Sequence, residues 1–515
     1  MHACLRVDEI VRLVASELVW YRGRGTSVAL ACSCKSLEDP VLDMLWEFQT
    51  RVRPLLRSLP GDVWNDDRRI VSLTTTLLPF LSLTNLVLKT FKRLPTTLEW
   101  ARFRKYARRM RTLVEPAHPS VLPPEVFSIL QLYATDKPLF PNLKILRLWE
   151  LNAETIPFIP SFLSPRTTSI ELRFLSNSPK AMVASLITAF PTLCPNLKTI
   201  ILYLPSDPMI AAAVSGTVLA TNRNALLFFR VDCLLTQEAR KVICELPNLR
   251  QLSMVIGSGT PLPLLMLPSL TNLTVTCHGG SDWLEGFRGA TLGKLASITV
   301  NFKSNSIGNF LEAFESVMLT ASISGNLSTL SFNTSHLWRP NYRSLLPFTQ
   351  LNNLTVSFSC ERSCSSTIDD DTIIDIARAM PKLELLQLGG QHCRTPTGVT
   401  AKGLAALAYY CPNLDTLRIH FQVDSLDQPS TSIITSGDNH ITSRADCALT
   451  VLSVGEIPVM EESNTLVVAL TLLRIFPRLE LIVYSDEEQW EEVAEAIEIS
   501  KKLADASSKF SLTLP

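Results

Sequence analysis

The chain has 515 residues, 46% of them hydrophobic and 19% charged, and its 48 Lys and Arg balance 48 Asp and Glu. That length can bury a sizeable core, and a formal charge of zero turns the first reading away from a polyanion binder, whose affinity rests on phosphate contacts, so nucleic acid is not expected as a partner. No apolar run reaches the roughly 20 residues of a membrane helix. The longest candidate, Leu466 to Phe476, is short and broken by Arg474, so no membrane partner is expected.

In chain order, residues 1–50 read as a helical module. Asp8, Glu9 and Arg12 interrupt the stretch where a secretory signal would need an unbroken apolar run, so a cytoplasmic or nuclear protein, or both, is expected. The pattern from Arg6 to Trp46 predicts three short helices. Ile10, Leu13, Val14 and Leu18 share one face. Val28, Leu30 and Ala31 form a second apolar segment, and Leu37, Val41, Leu42, Leu45 and Trp46 a third. A module of this size is marginal alone, and it should dock on a partner or on the rest of the chain. Residues 51–80 are expected to be a helical linker and N-terminal cap. "ARFRKYARRMR" (Ala101 to Arg111) carries six basic residues in eleven. It is read as a solvated helix leading into an early strand, with contact to RNA or an acidic partner as the alternative.

From residue 81 to 484 one phrase recurs, L-x-x-L-x-L. It begins at Leu143, Leu197, Leu249, Leu270, Leu295, Leu327, Leu351, Leu383, Leu414, Leu449 and Leu479, with weaker copies at Leu83, Met110, Thr167 and Leu226. Steps of 21 to 35 residues over about 15 copies mark a solenoid, and the phrase is that of leucine-rich repeats. Each phrase predicts a short strand. Its fourth and sixth positions point inward, and its fifth and seventh point outward. Between phrases, residues 178–190, 236–246, 368–380 and 400–411 carry helical periodicity. Asp369 to Asp371 and Thr400 are start signals, and Pro191, Pro381 and Pro412 are expected stops. The fold class expected is α/β: a right-handed leucine-rich-repeat solenoid with parallel strands on its concave face and helices on its convex face.

The outward positions give the candidate target-binding residues. Arg147, Trp149, Arg173, Tyr203 and Arg230 in the early units, and Arg418 and His420 near the other end, are the residue types enriched at binding hot spots. The middle units present Ser, Thr and Asn instead. Residues 421–447 read as a Ser/Thr/Asp-rich loop. Residues 485–515, acidic then basic, read as a helix and tail closing the solenoid's end. The twelve cysteines show no paired zinc spacing; Cys360, Cys364 and His392-Cys393 come nearest, and free thiols are the expectation. No phosphate loop, nucleophile elbow or H-E-x-x-H motif is present. The reading is therefore not an enzyme: no catalytic residues, no cofactor and no metal.

"GLAALAYYCPNLDTLRIH" (Gly403 to His420), echoed by Cys194-Pro195, resembles the cysteine-containing leucine-rich repeats of F-box proteins. The N-terminal helices resemble a divergent F-box of the kind in large fungal families, through Glu9-Ile10, "ALACSCKSL" and Leu45-Trp46; Arg6-Val7 stands where the family has Leu-Pro. The resemblance implies a substrate-recognition subunit of a cullin–RING (SCF-type) ubiquitin ligase. It implies a Skp-type adaptor bound through Ile10, Leu13, Leu18, Leu30, Leu42 and Leu45, and an unidentified protein target bound by the repeats. A non-catalytic interaction scaffold not coupled to ubiquitination is the alternative.

Overall fold

The computed structural model describes residues 8–21, 24–64, 91–115, 124–132, 138–220, 223–257, 265–290, 292–303, 309–321, 323–335, 340–358, 368–390, 397–423, 447–455, 465–484 and 488–511, with residues 134, 259, 262–263, 338 and 426 besides. The chain forms two compact units, one ending at Ile243 and the other beginning at Cys244. Both are α/β and built as a repeat: strand, turn, helix or 3-10 turn, next strand. In each unit the strands follow chain order and every described pairing between them is parallel, in an open sheet.

The first unit opens with helices α1 (Asp8–Tyr21), α2 (Arg24–Ser33) and α3 (Lys35–Glu47). They close on a small core of Val11, Ala15, Ala31, Leu37, Val41 and Leu45. Directly after α3 comes β1 (Phe48–Gln49), then the short α4 (Arg53–Leu56), then α5 (Thr97–Ala107) and β2 (Thr112–Glu115). β1 pairs with β2, so the helical module is sewn into the sheet by its own next residues. There follow α6 (Pro124–Leu132), β3 (Ile145–Leu151), α7 (Ile159–Phe162), β4 (Ser169–Phe174), α8 (Lys180–Leu193), β5 (Thr199–Tyr203), α9 (Pro208–Ala220), β6 (Phe228–Leu234) and α10 (Gln237–Ile243).

The second unit carries β7 (Gln251–Ile256), β8 (Asn272–Cys277), β9 (Ser297–Phe302), α11 (Phe310–Thr320), β10 (Thr329–Thr334), β11 (Asn353–Ser357), α12 (Asp370–Ala379), β12 (Leu385–Leu388), α13 (Ala401–Tyr410), β13 (Thr416–Ile419), β14 (Val451–Gly455), α14 (Thr465–Ile475), β15 (Leu481–Tyr484) and α15 (Glu488–Ser511). Its core includes a run of aromatic rings: Phe310, Phe314, Phe332 and Phe348 stack or meet edge-on at centroid distances of 5.3 to 6.0 Å. At the end, α15 lays Trp490, Val493 and Ile497 inward and contacts α14 and β15.

The phrase has a physical job at each position. Its first, fourth and sixth residues are buried from β2 to β14 almost without exception, as in Leu143, Leu146 and Leu148. Its second residue lends its carbonyl to the next unit: Lys198 N donates to Thr168 O at 2.8 Å, and Asp415 N to Glu384 O at 2.8 Å. The Asn that often precedes the first leucine braces the turn before it. Asn142 Nδ2 donates to Arg108 O at 2.7 Å, and Asn326 Nδ2 to Gly293 O at 3.3 Å. The Cys of "CPNL" does similar work, since buried Cys411 lies with Sγ 3.5 Å from Met380 O. Thr167, a polar residue in a leucine position, is fully buried because its hydroxyl donates to Leu143 O at 3.1 Å and accepts from Ser164 N at 3.1 Å.

The helix starts behave as the sequence predicts. Asp369 accepts from Thr372 N at 2.9 Å, and Thr400 from Lys402 N at 3.2 Å. One stop does not: α8 runs through Pro191 to Leu193. Proline leaves the carbonyl four residues back without its helical donor. Here that carbonyl, Ile187 O, accepts instead from Thr217 Oγ1 of α9 at 2.8 Å. A neighbouring helix supplies the bond that the proline removes. The weak phrase at Leu83 and the Cys360, Cys364 and His392-Cys393 positions lie outside the described residues, as does most of the 421–447 loop.

Candidate protein-interaction faces

α1 is apolar on two sides. Val11 and Ala15 face the module's core, while Ile10, Leu13 and Val14 face solvent, Leu13 at 65% exposure. The apolar face read from the sequence is thus the outer one, and Val11 and Ala15 were missed as the core pair. Val28 of α2 is also exposed. Leu18, Leu30 and Leu42 are half-buried, with Leu30 and Leu42 packed on the core. Leu45 corrects the expectation of a partner contact. It is a core residue at 8% exposure, because α3 turns that side toward α1 and α2. Arg6-Val7 lies outside the described residues.

The other side of α3 is acidic, and it explains the basic stretch. Glu38, Asp39, Asp43 and Glu47 recur at one helical face. Lys105 pairs with Glu38 at 3.2 Å, Arg109 with both Asp39 and Asp43, and Arg111 with Glu47 at 3.7 Å. Arg12 of α1 also reaches Asp43, at 3.1 Å. The Trp46 ring lies 4.9 Å from that of Tyr106. Half of the basic side chains read as solvated therefore hold the helical module to the repeat. Arg102, Arg104 and Arg108 remain exposed.

The second face is the outward side of β3 to β6. Register places Arg147 beside Glu171, then Ile201, then Arg230, with Arg173 beside Tyr203. Arg147 Nε lies 3.2 Å from Glu171 Oε2. The guanidinium carbons of Arg173 and Arg230 sit 4.9 and 4.8 Å from the centre of the Tyr203 ring, a cation–π cluster. Among the described residues Arg230 Nε has no hydrogen-bond acceptor; Asp232 Oδ1 stands 3.8 Å away. Beside them β3 bulges. Trp149 and Glu150 stand opposite the single residue Arg173, and Glu150 takes φ 59°, a left-handed conformation unfavourable for a residue with a Cβ. Bulges re-aim side chains at functional rims. Trp149 is half-buried and Arg173 exposed, so five of the seven target-binding candidates, Arg147, Trp149, Arg173, Tyr203 and Arg230, come together here.

Arg418 and His420, in the second unit, do not join such a cluster. Arg418 is half-buried in β13, and burial lowers its pKa. His420 corrects the outward assignment: it is 5% exposed. β13 ends at Ile419, so the alternation that would point His420 outward has already stopped, and the His420 carbonyl accepts from Thr397 Oγ1 at 2.6 Å. Earlier in the second unit the outward face of β8 to β11 is uncharged. Register aligns Thr274, Thr299, Ser331 and Thr355 in one row, and Thr276, Asn301, Asn333 and Ser357 in the next. Asn333 Nδ2 donates to Asn301 Oδ1 at 3.1 Å.

Among the described residues no three His, Cys, Asp or Glu side chains are grouped to hold a metal, and no helix is long and apolar enough to cross a membrane. Desolvation raises the pKa of the buried thiols Cys194, Cys233, Cys277, Cys411 and Cys447, with Cys277 and Cys411 pushed up to about 12.

No family model matches the chain, and no curated protein matches it. Among solved structures it is similar to the crystal structure of a structural-genomics target from Bacteroides fragilis. The identity is 11% and the TM-score 0.27, over 48% of this chain and 64% of that one, which is under two thirds of its length. A likeness of that size assigns no family.

Proposed function

We propose that this protein is the substrate-recognition subunit of a cullin–RING ubiquitin ligase. In this reading α1 to α3 form an F-box-like module, and the parallel repeat is a leucine-rich-repeat solenoid. The observation that carries the reading is the double-sided apolar surface of α1. Among the described side chains of that helix, Val11 and Ala15 enter the module's core, yet Ile10, Leu13 and Val14 stand in solvent. An apolar strip of this kind suits a Skp-type adaptor. The Arg147, Trp149, Arg173, Tyr203 and Arg230 cluster supports target capture by the first unit. The subunit itself brings substrate near, and the chemistry belongs to partner subunits in the cytoplasm or nucleus.

A second reading has its own support. The ion pairs from α3 to Lys105, Arg109 and Arg111, with the β1–β2 pairing, suit helices that merely cap a free-standing interaction scaffold. One co-purification separates the two. Wild type and Leu13→Glu are captured from the native cell with tagged adaptor. Adaptor recovered with wild type and lost with L13E supports the ligase subunit; no adaptor with either chain supports the scaffold. A Trp149→Ala, Arg173→Ala double variant that keeps adaptor but loses its target places recognition on β3 and β4, whereas unchanged target capture removes that face from the proposal.

A further inference from the structure

The zero net charge conceals a division. Up to Ile243 the chain holds thirty Lys and Arg against twenty Asp and Glu, and from Cys244 onward eighteen against twenty-eight, so the units carry +10 and −10. The division is organised at one position of the phrase, the second residue, where successive strands begin. In the first unit Lys144 N donates to Arg111 O, Thr168 N to Lys144 O, and Lys198 N to Thr168 O, at 2.7 to 2.8 Å. Four consecutive rungs thus read Arg, Lys, Thr, Lys along the strand-entry rim. In the second unit Asp415 N donates to Glu384 O, Thr450 N to Asp415 O, and Glu480 N to Thr450 O, at 2.8 to 3.0 Å. These four rungs read Glu, Asp, Thr, Glu. Both rims have the rung spacing of a parallel sheet, about 4.8 Å. All six charged residues are exposed, Arg111 while also paired with Glu47 at 3.7 Å. Around Glu384 and Asp415 the rim is an open hollow lined also by Asn353, Asn413 and Ala448.

We propose that the chain self-associates head to tail, the basic rim of one copy (Arg111, Lys144, Lys198) meeting the acidic rim of a second (Glu384, Asp415, Glu480). The sequence of charges, two, a threonine, then one, is the same on both rims with opposite sign, so rims laid in the same direction pair rung for rung. Complementary charge steers such an encounter and fixes its register, and its strength falls with salt as screening shortens the reach of each charge. A contact between unlike patches is heterologous, so it closes into a ring or runs on as an open assembly. The inference is independent of the ligase reading.

Sedimentation velocity on the full chain at about 0.02 M and about 0.5 M salt tests it. Assembly that grows with concentration at low salt and dissolves at high salt is expected. Lys144→Glu with Lys198→Glu, and separately Glu384→Lys with Glu480→Lys, each leave the chain monomeric, with thermal melts showing each still folded. Mixing the two variants restores assembly, because one then offers two acidic rims and the other two basic ones. A wild-type chain that stays monomeric at low salt overturns the proposal, as does assembly that survives either reversal. So does a monomer whose basic rim instead retains duplex nucleic acid.

Discussion

The two units are written with one phrase and differ in what the phrase leaves free. Rung by rung their inward residues are interchangeable: Leu146 and Leu148 in the first unit do the work of Leu386 and Leu388 in the second. Outward, the first unit presents Arg147, Trp149, Arg173 and Tyr203, while β8 to β11 present Thr, Ser and Asn. Stacking forces the inner ladder, because one unit cannot bury its apolar face alone. Nothing in the stacking constrains the outer side chains, and recognition chemistry is free to reside there.

The largest effect comes from breaking the inner ladder. Phe314→Ala in the second unit removes a ring packed against Phe310, Phe332 and Phe348, at an expected cost of about 3–5 kcal/mol. Urea unfolding measures it, and a cost under about 1 kcal/mol would mean the aromatic run is not a core. Next is the seam between neighbouring helices. Asp370 accepts from Thr400 N at 2.8 Å, Thr400 Oγ1 at 2.6 Å and Gly403 N at 2.9 Å. Asp370→Ala should cost about 2–3 kcal/mol and speed amide exchange at Gly403. Gly403→Ala should be destabilising too, since a Cβ there would stand 2.6 Å from Asp370 Oδ1.

The units should also differ in their response to pH. At the end of β2, burial raises the Glu115 carboxyl from 4.5 to about 7, against smaller opposing effects of a hydrogen bond with the Val52 backbone and the charge of Arg51. The folded form holds this proton more tightly than the unfolded form. Its contribution is therefore fully present below pH 4.5 and is lost as pH rises to about 7. Glu115→Gln should flatten that decline, worth up to about 3 kcal/mol, in melts recorded from pH 4.5 to 8. A wild-type curve already flat over that window would contradict the assignment.

The smallest effect is on the outer face. Arg147→Ala should cost no more than about 1 kcal/mol, because Arg147 is half exposed although its partner Glu171 is only 15% exposed. Peptide-resolved thiol labelling sharpens the inside–outside contrast. Cys34, whose pKa is lowered by its hydrogen bond with Ser36, should react in the native chain, while buried Cys233, Cys277 and Cys411 stay protected.

Much of this was legible because it is local. The spacing of leucines gave β2 to β15, Asp369 and Thr400 announced their helices, and the outward Arg and aromatic positions of β3 to β6 followed from alternation alone. Where sequence reading failed, a distant partner decided. Pro191 did not stop α8 because Thr217 rescued the freed carbonyl. Leu45, a contact residue by the F-box resemblance, turned inward, and a helical stripe does not say which of two apolar sides a neighbour will take. The charge division was countable in the sequence, but only against a boundary at Ile243 that packing defined.

By itself the sequence determined the ladder, since a residue's inward or outward sense repeats with the strand's two-residue period and needs no remote information. Only the tertiary structure decided which charges meet. Arg109 and Asp39 stand 70 residues apart, and no periodicity links them. Their pairing exists because β1 and β2 bring α3 against α5, and a Coulomb contact depends on distance in space rather than along the chain.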